Sequence, residues 1–239
     1  MLAYGRFLAH GEMFEGYFKI GGDVIEFEGL RFKNVRFLPP VRPEKIVCVG
    51  LNYIDHAREL NMEIPKEPII FLKPPSAIIG HEDIIELPDV GRVDYEGELA
   101  VVIAKRCKNV SREEALEYIL GYTCFNDVTA RDLQRNDGQW TRSKSFDTFA
   151  PIGPYVACFK DASGLRIRTK VNGRVVQDST TSNLIFDIPT LIEFVSSVMT
   201  LKEGDVIATG TPAGVGELRS GDVVEVEIEQ IGVLRNYVR

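Results

Sequence analysis

Short β-like segments separated by glycine turns recur along this sequence, and they restrict the fold more than any other feature. The C-terminal stretch DVIATGTPAGVGELRSGDVVEVEIEQIGVLRNYVR has this pattern, with no internal repeat. Residues 1–38 have it too, as in GYFKIGGDVIEFEG, and a proline cluster follows them. We therefore predict an α+β, β-rich fold with few helices, in which a small N-terminal β extension (residues 1–43) precedes a main domain (residues 44–239).

Local composition predicts several individual strands. Lys45–Val49 is a β-branched run that ends at Gly50, and PIIFLKP and DIIEL are similar short runs. Farther along, Asn172-Gly173 lies between two β-like segments, which predicts a tight hairpin. The loop after Val49 is a candidate site because loops at strand ends commonly carry functional residues.

Two stretches predict helices. SREEALEYILG offers Ser111 as a cap, Glu114 three residues later, apolar residues at helical spacing and Gly121 as a stop. Asp187, followed closely by a proline, suits the start of a second helix that runs through about Met199.

The composition excludes several classes of function. Lys and Arg total 28 against 35 Asp and Glu, so the formal net charge of −7 argues against nucleic acid as a partner. No apolar run approaches the ~18 residues of a membrane span, and MLAYGRFLAH lacks the apolar core of a signal peptide. We therefore expect a cytoplasmic protein that does not bind membranes. Four scattered cysteines are predicted to be free thiols: Cys48, Cys107, Cys124 and Cys158.

The segment DYEGELAVVIA carries an acidic constellation. Strand periodicity places Asp94, Glu96 and Glu98 on one face. Neighbouring carboxylates repel one another unless a cation lies between them, and Mg²⁺ or Mn²⁺ prefers oxygen ligands. Asp127, in the apolar context YTCFNDV, is the candidate third ligand beside the two glutamates. A solvated acidic strand face is the alternative that spacing alone leaves open.

His56 and Glu59 form a second candidate cluster. They share a face if DHARELN forms a helical turn, and a carboxylate beside an imidazole raises its basicity and fixes its tautomer. Such a pair could deprotonate a water molecule. An ordinary solvated contact on a surface helix is the alternative.

Cationic and amide donors follow the acidic segment. TARDLQ contains Arg131 and Gln134, and WTRSKSF contains Lys144, although plain surface charge would also explain them. In ATGTPAGVG, glycines surround Thr211, and the backbone N–H groups of such a loop could hold a carboxylate. The loop lacks the lysine and hydroxyl residue that end a P-loop, which argues against nucleotide binding.

Seven motifs of this sequence, taken in order over roughly residues 45–239, resemble those of the fumarylacetoacetate hydrolase family. They are VGLNYIDHARE, FLKPPSAIIG, DYEGELAVVI, FNDVTARDLQ, WTRSKSFDTFAPIGP, VNGRVVQDSTTSNLIF and GDVIATGTPAGVG. The branch that they resemble contains acylpyruvate hydrolases and 2-hydroxyhepta-2,4-diene-1,7-dioate isomerases. The first 40 residues resemble only the short extension of prokaryotic members.

The resemblance implies a mixed β-sandwich roll, usually a homodimer, with one divalent cation. The metal would be Mg²⁺, with Mn²⁺ or Ca²⁺ as alternatives, held by Glu96, Glu98 and Asp127. His56 and Glu59 would activate water under a mobile lid.

The resemblance also implies the bounds of the lid and the roles of the cationic, amide and hydroxyl side chains. The lid would span about Ala57 to Lys66. Arg131, Gln134 and Lys144 would lie near the reacting oxygen, and Thr211 would face the substrate. Leu51 departs from the family pattern, because several acylpyruvate hydrolases carry arginine there. The resemblance therefore does not determine which residues contact the distal end of the substrate.

Three reactions are compatible with the resemblance. The first hypothesis is hydrolysis of a C–C bond in a small 2,4-dioxo acid such as an acylpyruvate or fumarylpyruvate. Decarboxylation of oxaloacetate and isomerisation of 2-hydroxyhepta-2,4-diene-1,7-dioate are the alternatives. A non-catalytic metal-binding or ligand-binding scaffold is the alternative of another class, although His56, Glu59 and Lys144 argue against it.

Overall fold

The computed structural model describes residues 1–239 and is built mainly of short strands. In chain order the strands are β1 (Leu2–Ala9), β2 (Glu12–Gly21), β3 (Val24–Phe27), β4 (Leu30–Phe32), β5 (Arg36–Phe37), β6 (Ile46–Val49), β7 (Ile70–Lys73), β8 (Ile78–Ile79), β9 (Ile84–Ile85), β10 (Val93–Tyr95), β11 (Gly97–Ile103), β12 (Ile119–Asn126), β13 (Thr129–Ala130), β14 (Ala150–Ala157), β15 (Arg166–Val171), β16 (Arg174–Thr180), β17 (Val206–Ala208), β18 (Gly216–Glu217), β19 (Val223–Ile228) and β20 (Gly232–Val238).

Helices are few and short. The α-helices are α1 (Ile54–Glu59), α2 (Arg131–Asp137), α3 (Thr141–Lys144) and α4 (Ile188–Val198), and three single turns of 3₁₀ helix lie at Pro75–Ala77, Ala115–Tyr118 and Thr181–Asn183. The predicted β-rich α+β fold is confirmed. None of these helices has the length and apolar character that crossing a membrane requires.

The strands form three sheets. The largest has twelve strands in the order β4-β3-β2-β1-β14-β12-β11-β17-β6-β7, with β5 added to β1 and β8 to β14. A five-stranded sheet, β16-β15-β19-β20-β9, packs against its centre, since β11, β12 and β14 contact β15, β19 and β20. A small three-stranded sheet, β13-β10-β18, lies next to the acidic segment.

Strand β11 is buried on both faces, which explains its uninterrupted apolar sequence. Leu99 and Val101 belong to the core between the two large sheets, together with Val226 of β19. The alternate residues Ala100 and Val102 belong to a second core on the opposite face. The strand therefore runs through the middle of the molecule and carries Glu98 into its interior.

The N-terminal strands continue the large sheet. Strand β1 pairs antiparallel with β14, with Ala3 opposite Ala157, and it also pairs with β2 along its whole length. Phe7 is fully buried in a separate aromatic cluster, where its ring contacts Phe18 at 5.5 Å and Phe32 at 5.6 Å between centroids. The division into residues 1–43 and 44–239 stays a prediction.

The hairpin and the second helix are confirmed. Strands β15 and β16 pair across Asn172 and Gly173, whose φ angles of 51° and 78° are those of a tight turn. Helix α4 begins after Asp187, whose side chain accepts a hydrogen bond from the N–H of Thr190 at 3.0 Å. It ends at Val198, next to the predicted limit at Met199.

The helix predicted from Ser111 is wrong. The Ser111 hydroxyl does bond to Glu114 at 2.9 Å, but only a 3₁₀ turn follows, and β12 begins at Ile119. This strand pairs with β11 on one side and β14 on the other, and such pairing outweighs local helix propensity. Gly121 does not stop a helix: a Cβ there would lie 2.3 Å from the carbonyl oxygen of Ala157 on the neighbouring strand.

All four cysteines are free, as predicted. Cys48, Cys107 and Cys124 are buried, whereas Cys158 is half-buried. Burial raises the pKa of Cys124 to about 12, which keeps the thiol protonated and unreactive at neutral pH.

Candidate metal centre and pocket

Three buried carboxylates meet where β11 begins and β12 ends. Gly97 lies opposite Asn126 in this antiparallel pair, so Glu96 and Glu98 lie beside Asp127, which follows β12 directly. One oxygen of each carboxylate lies within 4.8 Å of the others. We call these three residues the acidic triad.

Two lysines neutralise part of the triad. Lys144 Nζ donates to Glu96 Oε2 at 3.0 Å and to Asp127 Oδ2 at 2.7 Å. Lys73 Nζ, which is fully buried, donates to Asp127 Oδ1 at 2.5 Å and to the carbonyl oxygen of Val128 at 2.9 Å. Both oxygens of Asp127 therefore already have a cationic partner.

Arg131 binds the acidic side of the site. Its guanidinium donates to Glu96 and, at 2.8 Å, to Asp94 Oδ2. A third bond, 2.5 Å long, reaches Gln134 Oε1. Asp94 also accepts from Arg92 at 2.6 Å, so it is linked to Glu96 through Arg131 and is not a member of the triad.

The two glutamates respond oppositely to this environment. Burial by itself raises the pKa of Glu96, but Lys144 and Arg131 outweigh it and lower that pKa to about 2. Burial, followed by the charges of Asp127 and Glu96, raises the pKa of Glu98 well above its usual value. The one donor to the Glu98 carboxylate is the N–H of Gly210, at 2.9 Å. Glu98 is thus the ligand that most lacks a positive partner.

The triad fits a hard divalent cation. Its donors are all carboxylate oxygens, which suit Mg²⁺, Mn²⁺ or Ca²⁺ better than softer metals. A cation there would neutralise the repulsion that Glu98 experiences from the other two acids. The triad could therefore bind one divalent metal ion.

His56 and Glu59 meet as the spacing predicts. On α1, His56 Nδ1 lies 3.0 Å from Glu59 Oε2, and the His56 side chain is 11% exposed. The N–H of Gly214 donates to both Glu59 oxygens, at 3.1 and 3.2 Å. The backbone N–H of His56 donates to Asp55 Oδ1 at 2.8 Å, and Asp55 in turn accepts from Ser179. Glu59 thus orients the imidazole, while Asp55 holds the backbone of the same helical turn.

One cavity of about 250 Å³ brings most of the predicted residues together. Of the nine predicted site residues, only Glu59 does not line it, and Glu59 contacts His56, which does. Its wall includes the acidic triad, His56, Arg131, Gln134, Lys144 and Thr211. Its apolar side consists of Val49, Leu51, Leu60, Met62, Phe71 and Trp140.

Sequence reasoning missed several polar residues that support the site. Lys73 lies in the predicted strand FLKP, and because lysine is normally exposed, the sequence does not indicate that this one is buried. Asn126 and Gln177 were also missed. Asn126 Oδ1 accepts from the N–H of Glu96 at 2.9 Å, and Gln177 Oε1 accepts from the N–H of Gly97 at 3.0 Å. Asn126 could have been noticed at the end of the mainly apolar strand β12, whereas β16 is mostly polar and its sequence does not distinguish Gln177.

The fold and the site together define a class of protein. Residues 45–239 match the family model described as fumarylacetoacetate (FAA) hydrolase C-terminal, and the chain belongs to this family. Its relatives include proteins named as isomerases and tautomerases.

Three relatives illustrate the range. An uncharacterised protein of Archaeoglobus fulgidus is 67% identical over 97% of this chain and 94% of its own length. The solved 5-carboxymethyl-2-hydroxymuconate delta-isomerase of Mycobacterium smegmatis is 46% identical, with a TM-score of 0.90 over 99% of this chain and 98% of its own. The mitochondrial oxaloacetate tautomerase of Bos taurus is 48% identical over 86% of this chain and 70% of its own length.

Proposed function

We propose that the protein is a divalent-metal-dependent enzyme that interconverts the keto and enol forms of a small 2-oxo acid. The observation that carries the proposal is the contact between His56 and Glu59, in which the buried His56 lines the same cavity as the acidic triad. A proton-transfer group and a centre for a hard cation are the two parts that enolisation requires. The names of the isomerase and tautomerase relatives support the same chemistry.

Glu96, Glu98 and Asp127 would hold the divalent cation, which would supply a Lewis acid for the negative charge that develops on the keto oxygen of a 2-oxo acid. Lys144 and Arg131 hold two of these carboxylates in place. Lys73 fixes the second oxygen of Asp127.

His56 is the group that moves the proton. Because Glu59 occupies Nδ1, Nε2 is the nitrogen left to accept a proton from the substrate carbon next to the keto group. The electron pair of that C–H bond becomes the C=C bond of the enol, and the keto oxygen takes up the negative charge. A proton returned to this oxygen completes the enol.

Gln134, which also lines the cavity, orients the substrate. Its Oε1 accepts from Arg131, which leaves the NH₂ group of the amide as a donor into the cavity. Arg131 itself is held by Asp94 and Glu96, so its main part is to keep this amide and the glutamate in place.

Hydrolysis of a 2,4-dioxo acid is the second candidate. The N–H of Gly214 donates to the Glu59 carboxylate and so holds it beside His56, and a carboxylate that orients the imidazole is what a water-activating base needs. In that reaction His56 takes a proton from water, hydroxide adds to the distal carbonyl, and the C–C bond breaks. Loss of carbon dioxide from oxaloacetate is the third outcome of the same site.

The test follows the three reactions in parallel on metal-stripped protein, with and without added Mg²⁺ or Mn²⁺. Enol oxaloacetate is followed by its ultraviolet absorbance, pyruvate release reports decarboxylation, and loss of acetylpyruvate or fumarylpyruvate absorbance reports hydrolysis. Metal-dependent loss of the oxaloacetate enol without pyruvate supports the proposal. Loss of the dioxo acids alone replaces it by hydrolysis, and inactivity in all assays contradicts it.

A further inference from the structure

Gln177 lies outside the cavity and joins the segment that carries the metal ligands to the glycine loop. It belongs to β16 and is 1% exposed. Its Oε1 accepts from the N–H of Gly97 at 3.0 Å, and its Nε2 donates to Thr211 Oγ1 and to the carbonyl oxygen of Pro212, each at 2.9 Å. These bonds use the amide's acceptor and both of its donor hydrogens.

The bonds close a ring around the peptide between the two metal-ligand glutamates. Thr211 Oγ1 donates to the carbonyl oxygen of Gly97 at 2.9 Å, so Gln177, Gly97 and Thr211 are bonded in a cycle. The contact is close: a Cβ on Gly97 would lie 2.1 Å from Thr169 Oγ1. The hydrogen bonds and this close contact therefore restrict the backbone that carries Glu96 and Glu98 to one position.

The glycine loop, ATGTPAGVG (residues 208–216), connects this hydrogen-bonded ring to the rest of the site. The N–H of Gly210 donates to Glu98 at 2.9 Å, and the N–H of Gly214 donates to Glu59. The loop also packs on the hairpin backbone, since a Cβ at Gly214 would lie 2.2 Å from the carbonyl oxygen of Val176. One short loop thus contacts a metal ligand and the partner of His56.

We infer that Gln177 is a positioning residue that sets the affinity of the acidic triad for its metal ion, by holding the Glu96–Gly97–Glu98 backbone and the glycine loop in register. The inference rests on the proposed function, because it assumes that the triad binds a metal ion. It assigns a site role to a strand residue that contacts neither the cavity nor a carboxylate. Groups of this kind around metal ligands affect metal affinity by tenfold to a hundredfold, as a rough range.

The test is isothermal titration of metal-stripped protein with Mn²⁺. Gln177→Met keeps the length of the side chain and removes all three bonds, and we expect it to weaken Mn²⁺ binding about tenfold. Thr169→Val is the control for location, because Thr169 is next to Gly97 but its hydroxyl has no hydrogen-bond partner. It should bind Mn²⁺ like wild type.

A second control separates positioning from loss of stability. Thr181 is buried and follows β16 directly. Its hydroxyl donates to the carbonyl oxygen of Ala162 at 2.6 Å and accepts from the N–H of Leu165 at 2.9 Å, and it has no hydrogen bond to the triad or to Gly97. Thr181→Val therefore removes buried bonds without contacting the ligand segment. If Gln177→Met weakens Mn²⁺ binding no more than Thr181→Val does, the inference is overturned.

Thr211→Val tests the same ring from its other end and carries the test if Gln177→Met fails to fold. It should also weaken Mn²⁺ binding, and the double variant should lose much less than the product of the two single losses, because both break one network. Fully multiplicative losses would overturn the inference. Wild-type protein that binds no Mn²⁺ would overturn the proposed function as well, whereas wild-type binding with unaffected variants would overturn the inference alone.

Discussion

At the scale of single residues, the site is a balance of buried charges. Asp127 has Lys73 on one oxygen and Lys144 on the other, and neither lysine is more than 2% exposed. A buried ion pair adds little net stability, but removing one partner leaves the other charged and unpaired. Removal of any one of these three side chains should therefore destabilise the fold.

Lys73→Met tests this balance. We expect it to lower the free energy of unfolding by about 3 kcal/mol, because Asp127 Oδ1 loses its buried cationic partner and only Lys144 remains on the other oxygen. Urea denaturation measures the loss, and Lys66→Met, at an exposed lysine, is the matched control. Equal midpoints for the two variants would show that Lys73 does not stabilise the fold.

His56→Ala tests the proton-transfer role. We expect at least a hundredfold loss of the metal-dependent reaction, which is the low end of what a positioned acid–base group contributes, about 10²–10⁴-fold. Mn²⁺ affinity should stay within about twofold of wild type, since His56 contacts no triad residue. Unchanged turnover would remove His56 from the mechanism, and lost Mn²⁺ binding would show that it acts on the metal centre instead.

The spacing of acids in the sequence places Glu96 and Glu98 on one face of a strand, but Asp94 shares that face and a solvated acidic strand fits the same spacing. Asp127 was predicted from its apolar sequence context and from the family resemblance. The sequence does not point to Lys73 or Gln177. A lysine or glutamine in a strand is more often exposed, and only tertiary packing decides that these two are buried.

At the scale of elements, the sequence predicted turns better than helices. The Asn172-Gly173 hairpin depends on two adjacent residues that tolerate positive φ, so its turn is decided by local sequence and not by tertiary contacts. The segment after Ser111 depends on its neighbours, because β11 and β14 offer it a strand position on both sides. Local rules are therefore reliable where local geometry decides the conformation.

The lid, Ala57 to Lys66, is a further prediction at this scale. Leu60 and Met62 line the cavity but are 47% and 53% exposed. A bound ligand would let them bury that apolar surface by closing over it. We expect oxalate with Mn²⁺ to slow amide hydrogen exchange in residues 57–66 and to leave β2 unchanged. Equal exchange with and without ligand would contradict the lid.

At the scale of the whole molecule, the predicted homodimer has a physical basis in one edge of the large sheet. Strand β7 ends that sheet, and its Leu72 is 46% exposed, as is the preceding Ile69. An exposed apolar edge strand offers unpaired backbone groups and apolar side chains to which another chain can bind. We expect sedimentation velocity to show a dimer.

Leu72→Glu should shift that dimer toward monomer, because a charge would then lie in the contact. Leu30→Glu is the matched control, since Leu30 is 56% exposed on β4 at the opposite end of the same sheet. Equal effects of the two variants would place the interface elsewhere, and a wild-type monomer would exclude the dimer.

Metal removal tests how the site and the stability of the whole molecule are linked. A ligand that binds only the folded state stabilises it by about 2.7 kcal/mol at a hundred times its Kd. For a chain of this size, that corresponds to a rise in Tm of about 5–10 °C. We expect Mg²⁺ or Mn²⁺ to raise the Tm of metal-stripped protein by this amount, and EDTA to reverse the rise.

Glu98→Gln should separate the two effects of the triad. Because the folded protein raises the pKa of Glu98, its charged form destabilises the metal-free fold at neutral pH, and the neutral amide removes that cost. The metal-free variant should therefore melt at or above the Tm of metal-free wild type. It should gain little from added Mn²⁺, because one anionic ligand is lost. A variant that melts lower without metal, or that gains as much as wild type with it, would contradict this account of the triad.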